Sequence, residues 1–279
     1  MRYIPSGETR LFPVLGDPIA QVRSPGAITR ILAARGHDAI VVPMHVAPLE
    51  LPLLFRSLHQ VRNIDGLLVT IPHKRVALSL CRTRTDRAEF VGSVNVARRT
   101  ENGWHGDNTD GLGYLDGIER EGFVVRAKRA LLIGCGGAGT AIALEILHRG
   151  AAFLAIHDTD VARRDEVIAK LSEKFSGRVG IGSGDPSGFD LVANATPMGM
   201  RHDDPLPIDV SALQPSQFVA CVVTKPEIPR LIAEARLRGC RTMTGAAMFD
   251  AQAETLVNFL LHERTEEKSS VKKDASLAL

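Results

Sequence analysis

The sequence has no apolar run long enough to cross a membrane, and its N-terminus lacks the long apolar core of a secretory signal. Its four cysteines are widely spaced without a C-x-x-C pair, and none of its nine histidines lies in an H-E-x-x-H motif. These absences favour a cytoplasmic protein with reduced thiols and no metal site. The cysteines are Cys81, Cys135, Cys221 and Cys240.

The net charge of the chain is also close to zero. The chain has 34 Lys and Arg residues against 32 Asp and Glu residues, a formal net charge of +2. This balance gives no electrostatic argument for a nucleic-acid partner. The apolar fraction of 44% is ordinary for a globular protein, and 279 residues exceed the usual size of a single core. We therefore expect two domains; the motifs below point to a small-molecule ligand, and the chain is compatible with a homodimer.

A glycine-rich turn between a strand and a helix is the most informative local pattern. Residues Ala130–Ile133 suit a buried strand, and the six residues that follow are Gly-Cys-Gly-Gly-Ala-Gly. Gly134, Gly136 and Gly139 have the G-x-G-x-x-G spacing, which lets the backbone approach a pyrophosphate at the start of a helix. The predicted dinucleotide contacts in this turn are Gly134, Gly136, Gly137, Ala138 and Gly139.

An acidic residue follows at the distance that a dinucleotide site requires. Asp158 lies nineteen residues after Gly139, near the end of a second apolar run, Ala151–Ile156. An acid there is expected to accept hydrogen bonds from the adenosine ribose of NAD. The alternative is a glycine turn in some other α/β unit, with Asp158 a loop residue. Thr196 and Met198 follow a later strand, either as a wall for the nicotinamide or as simple turn residues.

Reactive side chains stand beside turn signals elsewhere in the chain. Lys74 closes the block Val-Thr-Ile-Pro-His-Lys, just past a predicted buried strand, so it should enter the crevice where α/β sheets bind ligands. Asn95 and Asp110 lie in two further polar blocks, and Gln252 lies on the last predicted helix. Each has a simpler alternative: a solvated lysine, a turn asparagine, a helix-capping aspartate and a solvated glutamine.

Two local predictions concern element boundaries. Ser24 followed by Pro25 is typical of a helix N-cap with proline in the first turn. The apolar pattern of Val91 to Arg99 predicts a strand, followed by a turn at Glu101–Gly103.

Seven blocks in order resemble the shikimate dehydrogenase family, from about Leu15 to Phe259. They are Gly16–Ala20 with Ser24–Pro25, Val69–Lys74, Gly92–Asn95, Asn108–Gly111, Gly134–Ala138, Asn194–Met200 and Met248–Gln252. Each block is weak alone, but seven in the same order are not expected by chance.

The resemblance implies an α/β fold with an N-terminal α/β substrate domain, a C-terminal Rossmann domain and a last helix that returns to the first domain. The corresponding ranges are 1–122 completed by 248–262, 123–247, and a flexible tail at 263–279. It also implies NAD(P)-dependent oxidation of a ring hydroxyl of shikimate, quinate or a similar cyclic hydroxy acid, without a metal.

Carried over residue by residue, the resemblance assigns Lys74 and Asp110 to the family's catalytic pair. Such a pair would move the hydroxyl proton while hydride leaves carbon. The resemblance places substrate contacts at Ser24, Thr70, Asn95 and Gln252.

Departures from the family pattern affect the carboxylate end of the substrate pocket. Val22 stands where the family has the first of two serines, Leu68 replaces an asparagine, and Thr224 aligns with a tyrosine. We expect shikimate binding to be weakened by the loss of one such contact. Arg23 is a candidate replacement donor and equally a candidate for a solvent-facing residue.

A further departure affects the cofactor. NADP-dependent members carry an arginine for the 2′-phosphate where this chain has Asp158, so we expect a preference for NAD. Two alternatives stay open: a dehydrogenase for a different small alcohol or an amino-substituted ring acid, and a non-catalytic dinucleotide-binding sensor. Retention of Lys74 and Asp110 argues against the sensor.

Overall fold

A computed structural model describes residues 4–262, so the predicted tail at 263–279 lies outside the described residues. Two six-stranded sheets organise the chain, the first within residues 10–107 and the second within 129–243. Helices accompany the strands of both sheets, and the predicted α/β class is confirmed.

The first sheet combines parallel and antiparallel pairs. Its strands are β1 (Arg10–Gly16), β2 (Ala39–His45), β3 (Gly66–Val69), β4 (Thr83–Arg84), β5 (Val96–Thr100) and β6 (Gly103–Asp107), in the order β2-β1-β3-β5-β6-β4. The helices are α1 (Ser24–Ala34), α2 (Leu51–Leu58), α3 (Lys74–Leu80), α4 (Asp86–Val91) and α5 (Asp110–Arg120). Strands β1, β2 and β3 are parallel, whereas β5 runs antiparallel to both β3 and β6. All four residues of β3 are buried, as its continuous apolar sequence predicts.

The second sheet is entirely parallel. Its strands are β7 (Arg129–Ile133), β8 (Phe153–His157), β9 (Val179–Ile181), β10 (Leu191–Asn194), β11 (Phe218–Cys221) and β12 (Arg241–Met243), in the order β12-β11-β10-β7-β8-β9. The helices are α6 (Gly137–His148), α7 (Val161–Lys174) and α8 (Arg230–Leu237). The strand order reverses direction between β7 and β10, which opens the crevice where a Rossmann sheet binds its ligand.

The last helix, α9 (Gly245–Leu260), returns to the first sheet, as predicted, and packs against α1, α5 and β5. Glycines on α5 permit close helix contacts. A Cβ at Gly111 would lie 2.3 Å from the carbonyl oxygen of Ala141 in α6, and one at Gly113 would lie 2.4 Å from the Cβ of Gln252 in α9. The start of α5 is therefore held between the two halves of the protein.

Two boundary predictions are wrong. Ser24 is the first residue of α1, Arg23 occupies the N-cap position, and no described side chain caps that helix. Val91 ends α4, and Gly92 follows with a φ of 73°, so the strand begins only at Val96. Val91 and Val94 are apolar because both are buried, not because they belong to a strand.

Candidate active site

A cavity of about 340 Å³ lies between the carboxyl ends of the two sheets. Thr70 follows β3 on one side, while Thr196 follows β10 and Thr224 follows β11 on the other. Helix α9 contributes Gln252 to the wall. Polar and apolar residues from both halves of the chain thus enclose one space.

Lys74 and Asp110 form an ion pair in this cavity. Lys74 is the first residue of α3, and its Nζ lies 2.5 Å from Oδ2 of Asp110, the first residue of α5. The side chains are 17% and 5% exposed, so water is largely excluded from the pair. Thr109, and not Asp110, occupies the N-cap position of α5. The capping alternative for Asp110 therefore does not hold.

Two amide side chains fix the other oxygen of Asp110. Its Oδ1 accepts hydrogen bonds from Nδ2 of Asn95 at 2.8 Å and from Nε2 of Gln252 at 3.2 Å. Both amides also donate to Oγ1 of Thr109, at 3.2 Å and 2.9 Å. Gln252 is only 5% exposed, so the solvated alternative for this helical residue is wrong. Thr109 was missed by the sequence reasoning, and its place in the Asn-Thr-Asp-Gly block was the available signal.

Ser24 and Thr70 also line the cavity. Ser24 is 6% exposed, and within residues 4–262 its hydroxyl has no hydrogen-bond partner. Gly16 makes room for Thr70, because a Cβ at position 16 would lie 2.4 Å from Cγ2 of Thr70. All four predicted substrate contacts and both members of the predicted catalytic pair are thus brought to one cavity.

One wall of the cavity is apolar. It belongs to the hydrophobic cluster that packs α1 and α9 onto the first sheet. The wall residues are Val14, Val22, Leu68, Phe249 and Leu256. Two of the departures from the family pattern, Val22 and Leu68, therefore belong to the same apolar wall.

The glycine-rich turn has the conformation that a dinucleotide requires. Gly134 has a φ of 88°, and a Cβ at Gly139 would lie 2.1 Å from the carbonyl oxygen of Gly134. Around Gly136, by contrast, no described atom lies within 4 Å of the position of a Cβ. Helix α6 begins at Gly137 without a side-chain cap, so its first N–H groups are available to a pyrophosphate. These residues fit the cofactor.

The turn also approaches two polar residues of the N-terminal half, Ser93 before β5 and Lys74 on α3. A Cβ at Gly137 would lie 3.0 Å from Oγ of Ser93, which accepts a hydrogen bond from Nδ2 of Asn108 at 2.9 Å. Ala138 and Thr196 line the cavity. Met198 lies outside the cavity lining, in a turn where its N–H donates to Oγ1 of Thr196 at 3.2 Å.

Asp158 follows β8 and is buried, with 7% of its surface exposed. Its Oδ2 accepts hydrogen bonds from the backbone N–H of Cys135 at 2.8 Å and from the Cys135 thiol at 3.3 Å. Its Oδ1 accepts them from the backbone N–H of Asp160 at 2.9 Å and from Nη2 of Arg163 at 2.8 Å. Burial opposes the charge, yet the hydrogen bonds from Arg163, Cys135 and Asp160 lower the pKa of Asp158 well below its usual range. The carboxylate is therefore ionised and tied to the glycine-rich turn.

Arg163 lies beside Asp158 in the Rossmann half of the protein, and the sequence alone did not predict this pairing. Its Nε is buried and has no hydrogen-bond partner among the described residues. The adjacent Arg164 pairs with Asp165 instead, at 2.8 Å. Burial raises the pKa of the Cys135 thiol to about 12, with Asp158 adding to the effect, so this thiol stays protonated at neutral pH.

Metal-binding clusters and membrane-spanning helices are both absent from the described residues. Within 4–262, no group of three or more His, Cys, Asp or Glu residues is arranged to hold a metal ion. Nor does any helix in that range have the length and apolar composition needed to span a membrane.

A Rossmann sheet with an open glycine turn, facing a cavity that holds a buried lysine–carboxylate pair, defines a dinucleotide-dependent oxidoreductase. The sequence pattern of the shikimate dehydrogenase substrate binding domain matches residues 14–97. The shikimate dehydrogenase (NADP(+)) of Geobacter metallireducens is 32% identical over 258 residues, which cover 89% of this chain and 90% of that protein. This chain belongs to the shikimate dehydrogenase family.

Solved structures show the same fold. Shikimate 5-dehydrogenase from Listeria monocytogenes, solved with shikimate and NAD, has a TM-score of 0.83 at 24% identity and covers 95% of this chain and 96% of that one. Quinate dehydrogenase from Corynebacterium glutamicum, solved with NAD, has a TM-score of 0.80 at 25% identity, with 91% and 94% covered. The chain is thus an oxidoreductase of the shikimate and quinate dehydrogenase type.

Proposed function

We propose that this protein is an NAD-preferring dehydrogenase that oxidises a ring hydroxyl of shikimate, quinate or a similar cyclic hydroxy acid. Lys74 and Asp110 transfer the proton. The observation that carries the proposal is the buried ion pair, which lines a cavity shared with the glycine-rich turn. Residues 1–122 with 248–262 bind the substrate, and residues 123–247 bind the cofactor.

Alcohol oxidation removes a proton from oxygen as hydride leaves carbon, and the bound dinucleotide supplies the hydride acceptor. Lys74 holds the proton-transfer position at Nζ, with Asp110 as the second member of the pair. Asn95 and Gln252 keep Asp110 from rotating away, because both donate to its Oδ1. A positioned acid–base group contributes about 10²–10⁴-fold to the rate.

The expected substrate contacts are polar groups of the cavity wall that can still form a hydrogen bond with a ligand. The amide nitrogen of Gln252 already donates to Thr109 and Asp110, and within residues 4–262 its carbonyl oxygen has no hydrogen-bond partner. That oxygen can accept a hydrogen bond from a ring hydroxyl. Thr70 adds a hydroxyl to the cavity wall, and Ser24 adds another.

The preference for NAD rests on Asp158. An ionised carboxylate at the end of β8 repels a 2′-phosphate and attracts ribose hydroxyls. Arg163 offsets part of that repulsion, because its Nη2 donates to the same carboxylate. A ribose must also replace Arg163 as a donor to Oδ1. We therefore expect a modest preference, of about ten-fold in kcat/KM.

A cofactor-reduction assay over a panel of cyclic hydroxy acids, with NAD and with NADP, tests the proposal. Shikimate or quinate should be oxidised with NAD, and Lys74→Ala should abolish most of that activity. Absence of turnover with every panel member would contradict the substrate class. A kcat/KM for NADP equal to or above that for NAD would contradict the cofactor preference alone.

A second candidate is a dehydrogenase for a different small alcohol or an amino-substituted ring acid. The apolar wall favours it, since Val22 and Leu68 offer no hydrogen bond to a polar substituent. Including neutral cyclic alcohols and amino-substituted acids in the same panel separates the two candidates, because the best substrate identifies the class. A non-catalytic sensor has no use for a buried proton-transfer pair.

A further inference from the structure

We propose that Arg87 and Asp107 are positioning residues for proton transfer, because their ion pair fixes the loop that carries Asp110. The proposal rests on the proposed function, since it concerns the same lysine–carboxylate pair. Among the described residues, the lining of the cavity includes neither Arg87 nor Asp107. Their effect on the reaction must therefore pass through Asp110 and its neighbours.

Asp107 is the last residue of β6, and its side chain is only 4% exposed. Its Oδ2 accepts a hydrogen bond from Nη2 of Arg87 at 2.5 Å, and its Oδ1 accepts one from Nε of Arg87 at 3.2 Å. The Thr85 hydroxyl donates to Oδ1 at 2.5 Å, and the backbone N–H of Asn108 donates to it at 2.7 Å. Both carboxylate oxygens are thus held, and the planar fork of the arginine sets their direction.

Arg87 lies in the first turn of α4, whose start is itself anchored to β6. Thr85 is the N-cap of this helix, and its hydroxyl accepts a hydrogen bond from the backbone N–H of Ala88 at 3.2 Å. The backbone N–H of Thr85 donates to the carbonyl oxygen of Gly106 in β6 at 3.0 Å. Arg87 therefore acts on Asp107 from a fixed position.

The position of Asp107 determines that of Asp110, because only two residues separate them. The carbonyl oxygen of Asp107 accepts a hydrogen bond from the backbone N–H of Asn95 at 3.0 Å, and the amide of Asn95 donates to Oδ1 of Asp110 at 2.8 Å. The backbone N–H of Asp110 donates to Oδ1 of Asn108 at 3.0 Å. A displaced Asp107 would move both the chain before Asp110 and the amide that orients its carboxylate.

A small displacement of Asp110 is expected to lower the rate. Its Oδ2 lies 2.5 Å from Nζ of Lys74, and a misplacement of about 1 Å in such a centre costs roughly a hundred-fold in rate. Glutamine at position 87 removes the charge and the bidentate contact. Lysine keeps the charge but lacks the fork that holds both oxygens of Asp107.

The experiment measures kcat and KM on the best substrate of the panel. In Arg87→Gln, kcat should fall about ten- to a hundred-fold. The KM values for substrate and cofactor should change little, because the cavity wall and the glycine-rich turn keep their residues. Arg87→Lys should have an intermediate kcat. Asp107→Asn should resemble Arg87→Gln, and the double variant should be no slower than either, because the two residues act as one unit.

Arg84→Gln is the matched control, since Arg84 lies just before α4 and pairs with Glu89 on the surface. It should keep wild-type kcat. The proposal is overturned by an unchanged kcat in Arg87→Gln, by a raised KM with unchanged kcat, or by an equal loss in Arg84→Gln. If Arg87→Gln does not fold, Arg87→Lys decides: a lowered kcat with unchanged KM supports the proposal, and wild-type kcat counts against it.

Acetylation of Lys74 by acetic anhydride, without substrate, separates this proposal from the proposed function because it needs no turnover. Contact with Asp110 and a side-chain exposure of only 17% shield Nζ of Lys74 from the reagent. Mass spectrometry should show several-fold faster acetylation of Lys74 in Arg87→Gln, with equal acetylation of the exposed Lys128. That result supports the positioning role even if no panel member is oxidised. Equal acetylation of Lys74 in the two proteins counts against the role even if shikimate is oxidised.

Discussion

Two buried carboxylates, Asp110 and Asp158, hold comparable places in the two halves of the molecule. Each lies beyond the carboxyl end of a strand, each is nearly buried at 4% and 7% exposure, and each pairs with a cation. The uncharged hydrogen-bond donors to these two carboxylates differ. Asp110 takes side-chain amides from Asn95 and Gln252, whereas Asp158 takes backbone N–H groups from Cys135 and Asp160.

The difference separates a centre built by tertiary packing from one built by local chain geometry. The amide donors of Asp110 come from Asn95, just before β5, and from Gln252 on α9, so this centre exists only when α5 and α9 are packed together. Its cation, Lys74, lines the cavity and can meet a substrate. The Asp158 centre forms within one continuous stretch of chain, from the turn after β7 to the start of α7, and contacts the cofactor turn. We therefore assign chemistry to the first centre and cofactor choice to the second.

The largest expected effect is at the Asp110 centre. Lys74→Ala and Asp110→Asn should each lower kcat on the best substrate by about 10²–10⁴-fold, the usual contribution of a positioned acid–base group. Cofactor affinity, measured by fluorescence titration, should change little, because neither side chain belongs to the glycine-rich turn.

Lys128→Ala is the matched control, because Lys128 pairs with Asp190 at 3.3 Å on the surface, with the side chains 47% and 39% exposed. That variant should keep wild-type kcat. Near wild-type turnover in Lys74→Ala would show that Lys74 takes no part in proton transfer. The assignment of chemistry to the Asp110 centre, and not to the Asp158 centre, would then lose its support.

The contrast between local chain geometry and tertiary packing also explains which site residues could be predicted from the sequence alone. The Gly134–Gly139 turn and Asp158 follow rules of a single βαβ unit, so their spacing alone pointed to a dinucleotide site. Gln252 gave no such signal, because its contact with Asp110 depends on how α9 packs against α5. Only the resemblance of an entire ordered set of blocks placed it near the substrate.

Failures of the sequence reasoning also have physical causes. The strand predicted from Val91 to Arg99 begins only at Val96, because burial, rather than strand pairing, explains the apolar residues before it. The pairing of Arg163 with Asp158 was not predicted, since it depends on the side-chain direction at the start of α7. Arg23 stayed ambiguous until the cavity placed it on the wall.

A smaller effect is expected at the Asp158 centre, on cofactor choice. Asp158→Asn should reduce the NAD-to-NADP ratio of kcat/KM by about ten-fold or more, since it removes a charged acceptor and a like-charge repulsion. Arg163→Ala should change the ratio the opposite way, because it removes the cation nearest Asp158 and leaves the carboxylate uncompensated. Steady-state kinetics with both cofactors measure the two ratios.

Arg164→Ala serves as the control for both variants, because Arg164 pairs with Asp165 and not with Asp158. Its ratio should match the wild type. An unchanged ratio in Asp158→Asn would mean that the carboxylate serves only to hold the glycine-rich turn, and would contradict its assignment to cofactor choice.

The last expected effect concerns stability rather than activity, and it is the pH dependence that Asp158 contributes without any ligand. Its pKa is lowered in the folded protein, so its stabilising effect is fully present above the unfolded carboxyl pKa of about 3.9. The effect is lost as the pH falls below that value towards the folded pKa, where the folded carboxylate takes up a proton. The variant Asp158→Asn has no such titration. Urea unfolding should therefore show a wild-type advantage on the order of 1.5–3 kcal/mol from pH 5 to 7, the range for hydrogen bonds to a charged group.

That advantage should shrink as the pH falls through 4 towards 3, because the unfolded carboxyl takes up a proton there while the folded Asp158, paired with Arg163, keeps its charge. Asp165→Asn is the control, since the Asp165 side chain is 53% exposed and its pairing with Arg164 is solvated. Its stability difference from the wild type should be small at every pH. If the difference between wild type and Asp158→Asn stayed constant from pH 7 to 3, the hydrogen bonds from Cys135, Asp160 and Arg163 would not favour the charged carboxylate. The Asp158 centre would then be held by its packing, and the electrostatic argument for NAD preference would lose its basis.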